Sequence, residues 1–156
     1  MEIERKFLLR SIPDELLSNC ERAEIEQSYL DFGDGDEPER RIRMLTQNGA
    51  TEYVYTEKGM GDLCREEEEY EISEYSYKKL RELVISKTVK KVRYYLSLSD
   101  SLTAEIDVYG DYLEGLNVAE VEFSSLEESE GFTPPEWFGE EITYDKAYRN
   151  KNLAKK

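Results

Sequence analysis

Apolar and charged residues alternate with a period of two along most of the chain, the spacing of a strand with one apolar and one charged face. Ile3, Arg5 and Phe7 share one face, with Glu2, Glu4 and Lys6 on the other. The same alternation predicts strands over 23–32, 39–47, 51–58, 65–72, 88–98, 102–109 and 118–124. Turn signals separate them, among them Asn48-Gly49, Gly59-Met60-Gly61-Asp62, Asp100-Ser101 and Gly115-Leu116-Asn117. Within 65–72 the run Glu66 to Glu69 charges both faces, so inward parity is open there; a regular strand puts Arg65, Glu67, Glu69 and Glu71 in one row. The period changes between 73 and 86, where Tyr77, Leu80, Leu83 and Val84 recur at helical spacing. Shorter helices are predicted at 11–17, with Pro13 in the first turn, and at 145–154. The stretch 125–144 reads as irregular or short-helical.

The charged faces are unusual in composition. Glu2, Glu4, Glu67, Glu69, Glu71, Glu105, Asp107, Glu120 and Glu122 stand against Lys6, Arg41, Arg43, Lys58, Arg65, Lys91 and Arg93. A solvated outer face mixes serine, threonine and charge, whereas these rows are almost wholly ionic and close to balance in sign. The predicted fold is α+β but mainly β. If the strands close, they form a closed eight-stranded antiparallel barrel with helices packed outside and the charges lining its lumen. The alternative is a sheet or sandwich whose charged face meets solvent, and the balance of signs favours the barrel. A barrel of about eight strands has room for side chains and one small ligand. Charges gathered in such a space need pairing, hydration or a ligand. Carboxylates are hard ligands for Mg²⁺ or Mn²⁺ and the bases suit phosphate, so a polyanion carried with divalent cations satisfies both signs.

At 156 residues the chain suits a single domain, 1–156. Its 36 acids and 21 bases leave a net charge of -15, which argues against duplex nucleic acid or an anionic membrane as a partner. No apolar run approaches the roughly 20 residues of a membrane span, and the first residues are charged, so a cytoplasmic protein is expected. The chain has no histidine, which excludes a histidine base, a catalytic triad and histidine metal ligation. Cys20 and Cys64 lack close metal spacing and read as free thiols.

The start Glu2-Ile3-Glu4-Arg5-Lys6-Phe7 resembles the E-x-E-x-K signature of the CYTH superfamily, the triphosphate tunnel metalloenzymes. Further segments match in the same order: Gln27-Ser28-Tyr29-Leu30, Arg41-Ile42-Arg43, Tyr55 to Gly59, Arg65 with Glu67, Glu69 and Glu71, Lys91-Val92-Arg93-Tyr94, Ala104-Glu105-Ile106-Asp107, Ala119 to Phe123, and Tyr148-Arg149-Asn150. The resemblance spans nearly the whole chain. One departure is Ala104, where the family usually carries an aromatic residue. The resemblance implies an eight-stranded tunnel that holds a triphosphate and one or two Mg²⁺ or Mn²⁺ ions. Lys6, Arg41, Arg43, Lys58, Arg65, Lys91 and Arg93 would grip phosphate oxygens. Glu2, Glu4, Asp107, Glu120 and Glu122 would hold metal, with Glu67 and Glu69 as further acids near it. Lys6 with Tyr29 resembles a pair implicated in hydrolysis in some members.

The expected activity is metal-dependent hydrolysis of a small triphosphate, foremost inorganic tripolyphosphate. The alternatives are a class IV-type adenylate cyclase, a thiamine triphosphatase, and a polyphosphate-binding module without catalysis. Because the metal row begins at Glu2, no preceding segment is expected to build a base pocket, which favours a compact substrate. The basic stretch 145–156 is expected to close one tunnel mouth and bring Lys146 or Arg149 towards substrate. No duplex nucleic acid or membrane partner is expected, and a homodimer is left open.

Overall fold

A computed structural model describes residues 3–59 and 67–156. It holds nine strands and four short helices in the order β1 (Ile3–Leu9), α1 (Asp14–Leu17), β2 (Glu21–Phe32), β3 (Glu39–Gln47), β4 (Ala50–Lys58), β5 (Glu67–Ile72), α2 (Glu74–Arg81), β6 (Val89–Ser97), β7 (Thr103–Tyr109), β8 (Asn117–Phe123), α3 (Leu126–Gly131), β9 (Phe138–Glu141) and α4 (Asn150–Leu153). The chain divides into two compact units, Met1–Ala23 with Lys91–Lys146, and Glu24–Lys90 with Ala147–Lys156.

In the first unit the antiparallel order is β6-β7-β8-β1-β9. The pleat sends Phe7, Ala104, Ile106, Ala119, Val121 and Phe123 to one face, where they form a buried core with Phe138. Phe132 and Trp137 pack against it, Trp137 edge-on to Phe138 with ring centroids 4.8 Å apart. Ala104 is fully buried on this apolar face, so the departure from the family's aromatic leaves the charged row untouched. Arg5 lies on the same side. Its guanidinium binds both oxygens of Glu141 at 2.8 and 3.0 Å, donates to the carbonyls of Ser129 and Phe132, and covers the Phe7 ring. The arginine between Glu4 and Lys6 is therefore a brace for the outer layer. Burial opposes its charge, but the Glu141 hydrogen bond outweighs that and raises its pKa above the ordinary value. The peptide of Lys6 is fixed from the same side: its N–H donates to Thr143 Oγ1 at 3.0 Å and its carbonyl accepts from Ile142 N at 2.7 Å.

In the second unit the order is β5-β4-β3-β2, again antiparallel. Its apolar face joins Leu30 and Ile42 to Tyr77 of α2, with Met44, Tyr53, Tyr55, Ile72, Leu80 and Val84 packed around them. Ser73 caps α2 by accepting from Ser76 N at 3.0 Å. The periodicity predicted helix as far as 86, yet α2 ends at Arg81. The chain beyond it is held by strand β2, with Ile85 N donating to the Tyr29 carbonyl and Ser86 Oγ accepting from Tyr29 N. The predicted 145–154 helix is likewise shorter: a single tight turn at Lys146–Tyr148 precedes α4.

One expectation is corrected. Nine strands are present where eight were expected, because β9 is four residues, Phe-Gly-Glu-Glu, too short to show alternation. The mainly-β antiparallel sheet is as expected, and hydrogen bonds among the described residues do not join its two ends.

Candidate active site

Strand register decides which charges stand together. In the first unit Lys6 faces Glu120, Glu120 faces Glu105, Glu4 faces Glu122, and Arg93 faces Asp107 across neighbouring strands. All share the face opposite the Phe7 and Val121 core, together with Lys91. This is the row that the alternation predicted, and an open cleft of about 520 Å³ lies along part of it, lined by Glu105, Glu120, Glu122 and Glu128.

One end of the row is an ion cluster. Asp107 accepts from Arg93 Nε at 2.8 Å and Nη2 at 3.0 Å, and from Lys91 Nζ at 2.8 Å. Lys91 is buried, with its ammonium 5.4 Å from the centre of the Tyr109 ring. Burial pulls the Lys91 pKa below its ordinary value, with Asp107 opposing. Burial alone would raise Asp107, but Lys91 and Arg93 outweigh it and hold the carboxyl below the usual range. Arg93 also reaches Glu105 at 3.3 Å.

The other end is a pair of acids. Glu120 is pushed up to about 7, first by burial and then by a hydrogen bond and like charge from Glu4. Two carboxylates that share a proton are hard oxygen donors held together at a cost in repulsion, and a divalent cation in place of the proton relieves it. No group of three or more acids stands ready to hold a metal among the described residues. A pair fits Mg²⁺ chemistry, because that ion is usually held by one or two carboxylates plus substrate phosphate oxygens rather than by an all-protein cage.

In the second unit Gln27 faces Arg43, Tyr29 faces Arg41, Arg41 faces Thr56, Thr56 faces Glu69, Glu39 faces Lys58, and Lys58 faces Glu67. These side chains share the face opposite Ile42. Glu66 lies outside the described residues, and for the rest of the acidic run the register decides: Glu67, Glu69 and Glu71 stand on the charged side, whereas Tyr70 stacks on Tyr55 and donates to Glu68 at 2.8 Å on the other. Arg41 bonds Glu39 and Glu67, each at 3.3 Å, and Lys58 lies 4.0 Å from Glu39. Arg43 differs, since its Nε is buried with no hydrogen-bond partner among the described residues. A buried cationic donor without an acceptor is costly in the absence of an anion.

Tyr29 is buried, and its hydroxyl oxygen accepts from Gln27 Nε2 at 2.9 Å. Burial pushes its pKa up to about 12, so the phenol is neutral near pH 7 and its O–H is a donor. Lys6 and Tyr29 belong to different units and each is placed within its own. Glu2 and Arg65, predicted for metal and phosphate, lie outside the described residues, as does Cys64. Gln27 and Glu39 received no role from the sequence, although Gln27 falls on the parity of Tyr29, which is the signal that could have found it.

No protein-family model matches the chain. An inorganic triphosphatase of Nitrosomonas europaea is 39% identical over 153 residues, covering 98% of this chain and 96% of that protein. One of Acetivibrio thermocellus is 33% identical over 155 residues, covering 99% and 93%. A solved structure of an inorganic triphosphatase superposes with a TM-score of 0.78 at 38% identity, covering 99% of this chain and 94% of the other. These likenesses run over nearly the whole chain, and the chain belongs to the inorganic triphosphatase family, within the CYTH superfamily.

Proposed function

We propose that this protein hydrolyses inorganic tripolyphosphate with Mg²⁺ or Mn²⁺ bound, and that its charged strand faces form the family's substrate tunnel. The observation that carries the reading is the basic face of the second unit, where Arg43 Nε is buried without an acceptor, in a chain related over its length to inorganic triphosphatases. Arg41, Arg43, Lys58, Lys91, Arg93 and Lys6 bind the nonbridging oxygens, and Arg65 joins them by family likeness. Guanidinium groups match two oxygens at once, which fixes the chain of phosphates in register. Glu4 and Glu120 hold the cation, with Glu2, Glu122, Asp107, Glu67 and Glu69 as the remaining acids of the predicted set. Bound metal supplies charge neutralisation at the transferred phosphoryl group and a more acidic water. The protein's own contribution is positioning and fixed positive charge where negative charge is redistributed in the transition state. Tyr29, neutral and held by Gln27, acts as a hydrogen-bond donor towards a phosphoryl oxygen or the attacking water, not as a base.

The deciding experiment is phosphate release from tripolyphosphate, ATP and thiamine triphosphate with Mg²⁺, Mn²⁺ and EDTA. Fastest release from tripolyphosphate, abolished by EDTA, is expected. Cyclic AMP formed from ATP faster than phosphate is released from tripolyphosphate would overturn the reading in favour of a cyclase.

A further inference from the structure

Beyond the charged face, the second unit contains a line of contacts that runs from the C-terminal segment to Tyr29. Lys155 Nζ lies 2.6 Å from Asp34 Oδ2, and Lys151 Nζ lies 3.3 Å from Asp34 Oδ1. Both lysines also touch the end of strand β2. Lys151 donates to the Phe32 carbonyl at 3.3 Å, and Lys155 sits 4.9 Å from the centre of the Phe32 ring. Phe32 in turn stacks on Tyr29, with ring centroids 5.6 Å apart and planes 28° from parallel.

The turn that presents Asp34 is fixed independently. Gly33 has φ 71°, its N–H donates to Asp31 Oδ1, and a Cβ there would stand 2.9 Å from Glu39 N, so only glycine fits. The end of α4 and the residue after it are anchored by Leu153 and Ala154, both buried, and by Ala154 O accepting from Lys87 N. Tyr29's own backbone is held by residues 85 and 86, just before Lys87. The C-terminal segment thus reaches Tyr29 by two routes, through the ring of Phe32 and through the 85–87 stretch. A surface lysine needs neither an aromatic ring beneath it nor a shared carboxylate for solubility. Placed here, the two cations restrain a phenyl ring whose other face is a buried tyrosine.

We propose that Lys151 and Lys155 are positioning residues for Tyr29. Through Asp34 and Phe32 they set the plane of the Tyr29 ring and hence the direction in which its hydroxyl donates. The proposal rests on Tyr29 acting at the triphosphate site. It adds that the C-terminal segment works through Tyr29 rather than by contacting substrate. Because Asp34 is half exposed, the latch is sensitive to salt, as solvated ion pairs are.

The test uses the full chain with Lys155→Glu, Phe32→Leu and the conservative Lys155→Arg, each in the wild-type and Tyr29→Phe backgrounds. Thermal melting establishes that each variant folds. Kinetics on tripolyphosphate with Mg²⁺ are paired with NMR of [¹³Cζ]tyrosine-labelled protein, in which Tyr29→Phe assigns the Tyr29 signal. Lys155→Glu and Phe32→Leu should lower kcat about fivefold, the scale of one exposed cation–π contact, with KM within twofold of wild type. Both should move the Tyr29 signal. Lys155→Arg, which keeps a cation for both Asp34 and the Phe32 ring, should retain most of kcat, and in the Tyr29→Phe background none of the three should have further effect. An unmoved Tyr29 signal in folded Lys155→Glu and Phe32→Leu overturns the latch, as does an equal loss of kcat with and without the Tyr29 hydroxyl. If the wild-type chain releases no phosphate from tripolyphosphate, the proposed function fails, while the NMR arm still decides whether the segment positions Tyr29.

Discussion

Lys91 Nζ lies 2.8 Å from Asp107 Oδ2, with only 3% of the lysine side chain and 10% of the aspartate side chain left exposed. Arg93 takes the same carboxylate through two more hydrogen bonds, so one acid supports two bases. Asp107→Ala leaves the buried Lys91 without its carboxylate and Arg93 with Glu105 at 3.3 Å, and removing one partner of a buried pair costs about 3–5 kcal/mol. Urea unfolding without ligand should show a loss of that order, and added tripolyphosphate should recover part of it by replacing the carboxylate. Asp107 titrates below its ordinary 3.8, so its contribution is complete above that value and is lost as pH falls through the lower folded value. A variant as stable as wild type without ligand would show that the cluster is hydrated and the bases independent.

Arg43→Ala should behave in the opposite way. Its buried Nε bonds to no protein acceptor among the described residues, so the folded chain loses little when it goes. A hydrogen bond to a charged group contributes about 1.5–3 kcal/mol, so KM for tripolyphosphate should rise at least about tenfold. Thermal melting should shift by less than about 4 °C, the effect of under about 1 kcal/mol in a domain of this size. A large drop in melting temperature with unchanged KM would make Arg43 a structural residue.

The alternation of charge and apolar side chains made both faces legible, since period two places Lys6, Arg41, Arg43, Lys58, Arg93, Glu105, Asp107 and Glu120 on a face whatever the register between strands. What the pattern left open was pairing. That Asp107 is shared by Lys91 and Arg93, or that Glu120 meets Glu4, depends on which strands are neighbours and by how many residues they are offset. Glu66 to Glu69 could not be assigned because four like residues erase the alternation, and the pairing of Tyr55 with Tyr70 restored it for Glu67 and Glu69. Strand β9 escaped notice because its role is carried by backbone pairing with β1 and by Glu141 meeting Arg5. Arg5 itself sat inside the recognised signature, and only the covered outer layer shows why that position carries a long cation.

Removing metal should abolish turnover, and the Glu4 and Glu120 pair makes the effect depend on pH. Glu120 holds its proton up to about pH 7, and a cation must displace it. Mg²⁺ or Mn²⁺ affinity should therefore rise with pH through that region. Calorimetry in two buffers of different ionisation heat should detect proton release on binding near pH 6.5. Glu4→Gln should weaken binding and reduce that proton release, because burial still raises Glu120 but the like charge of Glu4 no longer adds to it. Unaltered metal affinity in both Glu4→Gln and Glu120→Gln would remove this pair from the metal site.

Glu67 offers a test that separates two roles for an acid on the charged face. It was predicted to stand near metal, yet it is bonded to Arg41 at 3.3 Å with 44% of its side chain exposed. A phosphate oxygen and Glu67 then compete for the same guanidinium. Exposed pairs of this kind are worth about 0.2–1 kcal/mol, so Glu67→Gln should lower KM for tripolyphosphate by up to about fivefold and leave kcat unchanged. The gain should shrink at high salt, where the pair is already screened. If Glu67 instead serves the cation, the same variant loses kcat, and excess Mg²⁺ restores it. Measuring KM and kcat at two salt and two Mg²⁺ concentrations distinguishes them, and a lost kcat rescued by Mg²⁺ would return Glu67 to the metal set.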